Sequence, residues 1–190
     1  MNTKMNLVTL NGPLGCGKTW TADRIAAMNP DVLFHRVSWQ DCLRKAAMAL
    51  LGVPIHFSYD VFKQTDYYGK TGRQWMIDMS EGFAKQHDPL FFSKVMHDTI
   101  RNVIRVPRKK HVFIADSNGF ENELDYFRVQ EDVSLLACSI EPLHLQDRRG
   151  LPWIESDSRF NLAHKCTLVA EDSTEMLGKL NAALQRRGWI

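Results

Sequence analysis

The run Gly12-Pro-Leu-Gly-Cys-Gly-Lys-Thr19 most restricts what this chain can fold into. It fits the pattern GxxxxGK[ST], it follows an apolar run at 5–10, and a helical pattern follows it. Glycines let such a loop wrap tightly, so that backbone N–H groups point inward at an anion. The positive N-terminal end of the next helix then faces the same charge. The pattern predicts that Gly12, Leu14, Gly15, Cys16, Gly17, Lys18 and Thr19 hold the phosphates of ATP. Lys18 is expected to reach the β- and γ-phosphates, and the Thr19 hydroxyl to ligate Mg²⁺.

The rest of the chain continues in the same manner. Apolar runs at 32–37, 112–115, 133–140 and 166–170 alternate with amphipathic helical patterns. That alternation predicts an α/β fold with a five-stranded parallel sheet. Ser38 reads as the cap of a helix carrying Leu43, Ala46, Ala47 and Leu50, and residues 54–70 read as irregular and aromatic-rich. Thr71-Gly-Arg-Gln74 is a capping box. Asp88-Pro89 restarts a helix. Asp172 and Glu175 cap the last one.

The length of 190 residues suits a single domain, 1–190, around one core. A net charge of +2 gives no support to a membrane partner and makes nucleic acid a disfavoured one. No apolar run is long enough to span a bilayer. The four cysteines are far apart in sequence and match no zinc pattern, so a reducing cytoplasm is the expected setting. The sequence leaves a homodimer open.

Further residues carry candidate chemistry. Asp116 ends an apolar run, where a carboxylate at the C-terminal edge of a parallel strand would join the Mg²⁺ shell. Its alternative role is to start the turn Asp-Ser-Asn-Gly. Arg73 lies in the first turn of a capped helix, a place suited to a substrate phosphate. Trp39, Asp41 and Arg44 follow the second strand and are read with Arg73 as substrate-binding. Arg148 and Arg149 lie in a charged insertion at about 142–161. That insertion reads as a short lid whose arginines would neutralise charge on a transferring phosphoryl group. The basic run Arg101, Arg105, Arg108, Lys109 and Lys110 reads as a solvated face.

The order of these parts resembles the nucleoside monophosphate kinases and, more narrowly, the phage deoxynucleoside monophosphate kinases. Four stretches carry the narrower likeness: Arg73-Gln-Trp-Met76, Asp88-Pro-Leu-Phe-Phe92, Asp116 followed by Glu121-Asn-Glu123, and Val169-Ala-Glu-Asp-Ser-Thr-Glu175. The resemblance implies a P-loop kinase fold, with helices on both faces of the parallel sheet and an acceptor-binding helical region at about 38–105, and a small-molecule nucleotide as substrate. For a phage-encoded chain it also implies the host cytoplasm. One position departs from the pattern: Asn118 stands where the family often has arginine, which bears on the acceptor more than on the reaction.

The leading expectation is transfer of the γ-phosphate of ATP to a (deoxy)nucleoside 5′-monophosphate. Lys18, Asp116, Arg148 and Arg149 are its catalytic candidates, and Thr19 and Asp116 its metal ligands. A hydroxyl acceptor (a nucleoside, a hydroxymethylated base in DNA or a coenzyme precursor) is the alternative, with Asp41 or Asp116 as base. A nucleotide-hydrolysing switch is less favoured, because the chain lacks an Asn-Lys-x-Asp motif and Ser117 follows Asp116.

Overall fold

β1, Met5–Asn11, is buried along nearly its whole length, as expected of a parallel strand covered on both faces. The computed structural model describes residues 4–13, 15–104, 110–116, 121–142 and 165–190. After β1 come α1 (Lys18–Met28), β2 (Val32–Val37), α2 (Asp41–Leu50), α3 (Tyr59–Gln64), β3 (Asp66–Tyr67), β4 (Lys70–Thr71) and α4 (Gly72–Met79). A π-helical turn, Ser80–Ala84, leads into α5 (Lys85–His87). The remaining elements are α6 (Phe91–Val103), β5 (Lys110–Ala115), α7 (Glu121–Arg128), β6 (Val133–Pro142), β7 (Lys165–Ala170) and α8 (Ser173–Arg186).

Five strands form one parallel sheet in the order β2-β5-β1-β6-β7, as the alternation of apolar runs and helices predicts. One face carries Val8, Leu10, Ile114, Leu136, Cys138 and Ile140, packed with Ile25 of α1 and Leu177, Leu180 and Leu184 of α8. Leu124 and Phe127 of α7 and Ile100 of α6 are also buried, outside that cluster. Burying each such side chain is worth about 1.5–3 kcal/mol against leaving it in water. The edge strand β2 is less buried and carries Arg36, a charge that discourages pairing with another chain.

The chain divides into two compact units, one formed by 1–38 and 97–190 and the other by 39–96. In the second, Ala47, Met48, Phe62 and Met76 form a small core. Residues 54–70, expected to be irregular, contain α3 and a two-stranded hairpin. Ser58 caps α3 by accepting from the Val61 N–H, and positive φ at Tyr68 and Gly69 turns the hairpin. These signals are two or three residues long, below the length at which periodicity is visible. The capping box at Thr71 and Gln74 forms as read, with the Thr71 side chain accepting from the Gln74 N–H. Asp172 likewise caps α8 by accepting from Thr174 and Glu175.

One local expectation fails. Ser38 does not cap α2, which begins at Asp41 after Gln40, and Gln40 makes no side-chain cap. Asp41 itself sits in the first turn, where its negative charge favours the helix N-terminus.

Candidate functional site

The loop after β1 leads directly into α1, and its glycines are required by close approach and by backbone conformation. A Cβ at Gly12 would lie 2.9 Å from Ile140 Cβ and 3.0 Å from Cys16 Sγ. Gly17 has φ +83°, and a Cβ there would overlap the Ser173 hydroxyl at the start of α8. The loop is thus pressed between β6 and α8, and any side chain would fill the space its backbone needs.

Gly17 is the N-cap of α1 and contributes no side-chain hydrogen bond, and no acidic residue lies in the first turn. The positive helix end therefore receives no compensation from the residues of α1's own first turn. Lys18 Nζ donates to the carbonyls of Gly12 and Pro13, both at 2.8 Å, and lies 3.6 Å from Cys16 Sγ. The ammonium is held at the loop by acceptors that a phosphate oxygen can replace. Thr19 Oγ1 donates to Asp116 Oδ2 at 2.9 Å, which links the first turn of α1 to the end of β5.

Arg36, at the end of β2, adds a partner that the sequence reading did not single out. Its guanidinium pairs with the same Asp116 oxygen and, at 3.1 Å, with Asp23 of α1. A strand-terminal arginine three places before the second unit was the available signal. Ser173 was read only as part of a helix start, yet it packs against Gly17. Thr9 and Ser139, near the same strand ends, bury hydroxyls that find no partner among the described residues.

These features accommodate a phosphate chain and a divalent cation. The loop is a cradle that Cβ atoms would fill, the helix end faces it uncapped, and Thr19 and Asp116 supply one hydroxyl and one carboxylate. Mg²⁺ is commonly held by one or two carboxylates together with substrate phosphates. Among the described residues there is no cluster of three or more His, Cys, Asp or Glu able to hold a metal by protein ligands alone.

The second unit gathers several of the expected acceptor residues around Tyr59. Arg44 lies over its ring at 5.4 Å and Lys63 at 4.5 Å. Asp41 pairs with Arg44 at 3.5 Å, and the Tyr59 hydroxyl donates to Gln40 Oε1 at 3.2 Å. Burial raises the Tyr59 pKa, while the charges of Lys63, Arg44 and Arg73 oppose that rise. Arg73 therefore belongs to the same cationic neighbourhood. Arg44 Nε is buried without a hydrogen-bond partner. Trp39 is not displayed: it is buried, and its indole N–H donates to Ser93 Oγ at 3.2 Å.

Leu14, Asn118, Arg148 and Arg149 lie outside the described residues, as does nearly all of the expected lid. No described helix is long and apolar enough to cross a membrane. Comparison with protein-family models finds no match, and comparison with curated proteins finds none either.

Proposed function

We propose that this protein is a nucleotide kinase that transfers the γ-phosphate of ATP to a (deoxy)nucleoside 5′-monophosphate. The observation that carries this reading is the Thr19–Asp116 hydrogen bond beside the glycine loop. It brings the two prospective metal ligands together at the carboxyl ends of the strands, the usual place for ligands in open α/β sheets. Bound Mg²⁺ would neutralise charge on the β- and γ-phosphates. Lys18 would exchange its two carbonyl partners for phosphate oxygens, and the uncapped start of α1 would hold the same phosphates. On the second unit, Arg44, Lys63 and Arg73 give a cationic patch suited to an anionic acceptor.

A phosphate acceptor is already nucleophilic, so positioning and charge neutralisation suffice. A hydroxyl acceptor benefits from a free base. Asp116 already accepts from Thr19 and Arg36, and Asp41 pairs with Arg44, so either carboxylate would have to loosen an existing pairing to serve as a base. This favours the monophosphate reading.

The test is direct. The protein, ATP and Mg²⁺ are incubated with a panel of ribo- and deoxynucleoside monophosphates, nucleosides and hydroxymethylated DNA. Conversion of at least one monophosphate to the diphosphate is expected. Phosphorylation of another acceptor with every monophosphate left unchanged would overturn the proposal.

A further inference from the structure

Cys138 and Cys166 are far apart in sequence but are direct register partners on β6 and β7. Adjacent strands lie about 4.8 Å apart, within the Cα separation of about 4.4–6.8 Å that a disulfide spans. Both side chains belong to the face packed against α1 and α8: Cys138 is fully buried, and Cys166 is half-buried at the margin of that core. The Cys166 thiol also lies 3.9 Å from the carbonyl of Thr167.

Their environments differ in a useful way. The neighbouring Cys138 thiol draws the Cys166 pKa down to about 7 against the cost of burial, and Arg186 and Arg187 at the end of α8 assist. Cys138, paired with Cys166 and buried, has its pKa pushed well up. Elsewhere, burial raises the pKa of Cys42, and Cys16 is buried under the glycine loop. Cys166 therefore combines thiolate character with access, the two properties that govern thiol oxidation.

We propose that Cys138 and Cys166 form a redox-active dithiol, in which a hydroperoxide oxidises Cys166 and Cys138 resolves the product to an intramolecular disulfide. In the first step the Cys166 sulfur attacks the peroxide, an S–O bond forms, the O–O bond breaks, and the leaving oxygen departs as water or an alcohol. In the second, the Cys138 sulfur attacks the Cys166 sulfenic acid. An S–S bond forms, the S–O bond breaks, and hydroxide leaves with the Cys138 proton as water. The two thiols lose two electrons, and the peroxide gains them. This site is independent of the kinase reading.

The full-length protein is treated with hydrogen peroxide, alkylated, and digested without reduction by a protease that cuts after Lys and Arg. Such a digest separates Cys138 on 129–148 from Cys166 on 166–179. The expected product is those two peptides joined, less two hydrogens, and a dithiol reductant separates them again. Cys138→Ser should leave Cys166 as a sulfenic acid that a 1,3-dione traps, and Cys166→Ser should abolish both species. A readout on the native sequence guards against variants that misfold: iodoacetamide at pH 7 should label Cys166 about 10-fold faster than Cys42. The proposal is overturned by oxidation of Cys166 to sulfinic acid with Cys138 left free, by a disulfide between two chains, or by peroxide reacting first at Cys16 or Cys42.

Discussion

Thr19 donates its hydroxyl proton to Asp116 across 97 positions of sequence, at 2.9 Å. This contact turns two separate motifs into one prospective metal site. Thr19→Ala and Asp116→Asn should each lower turnover about 10²-fold or more, the scale seen when one oriented polar group is removed from an active site. Thr19→Ser should keep most of the activity. Titration calorimetry with ATP, with and without Mg²⁺, separates the effects: both damaging variants should lose the Mg²⁺-dependent part of the affinity.

Arg36 shares the Asp116 oxygen that Thr19 uses, so its guanidinium competes with a cation for that carboxylate. Arg36→Met should lower the Mg²⁺ concentration needed for half-maximal ATP binding by roughly five-fold, about 1 kcal/mol once solvent screening of a half-exposed side chain is allowed for. Loss of its pairing with Asp23 should cost little stability, because that pair is exposed on both sides. A raised Mg²⁺ requirement would show that Arg36 orients Asp116 instead of competing for it.

The two glycines at the ends of the loop should fail for different reasons. Gly12→Ala forces the loop away from Ile140 and should cost about 1–3 kcal/mol through overpacking. Gly17→Ala adds a left-handed backbone penalty of about 1–2 kcal/mol to its clash with Ser173. Adding Ser173→Gly should relieve the clash and leave the backbone penalty. Thermal unfolding of the single and double variants measures both parts.

Acid should destabilise the protein through His97. This ring is buried, with Nδ1 3.0 Å from the Tyr126 hydroxyl and Nε2 3.2 Å from Asp132 Oδ1, while Arg101 holds Asp132 from the other side. Burial lowers the His97 pKa from 6.5 despite the pull of Asp132, and burial with the neighbouring His111 lowers that of His35. A depressed histidine pKa means the unfolded chain binds more protons, so stability rises with pH. The contribution is present in full above pH 6.5 and is lost as pH falls through the folded-state values. Urea midpoints from pH 8 to pH 5 should therefore fall, and His97→Gln should flatten the curve.

Much of the first unit was legible in the sequence because its signals are long or chemically specific. The glycine loop, the five apolar runs and the Asp172 cap each depend on residues close in sequence. The ligand pair was legible in parts: Thr19 from its motif, and Asp116 from its place at a strand end. Arg36 was not, because its role depends on β2 lying beside β5, and register is set by the whole sheet. Arg44 and Arg73 were read separately from local patterns, whereas Tyr59, the ring that Arg44 and Lys63 face, lies on a helix too short for periodicity to reveal. The burial of Trp39 was equally hidden, since an aromatic after a strand has the same sequence context in a core as on a surface.

The strand order also governs how the chain must assemble. β1 lies at the centre of the sheet yet comes earliest in sequence, and Asn6 bonds to the carbonyl of His111, 105 positions away. During synthesis this apolar strand emerges well before either neighbour exists to cover it. Closing such distant pairings makes folding slow and leaves an adhesive segment exposed to other nascent chains. Refolding yield should thus depend on protein concentration more than on final stability, and the half-life of the unpaired strand sets the window for misassociation.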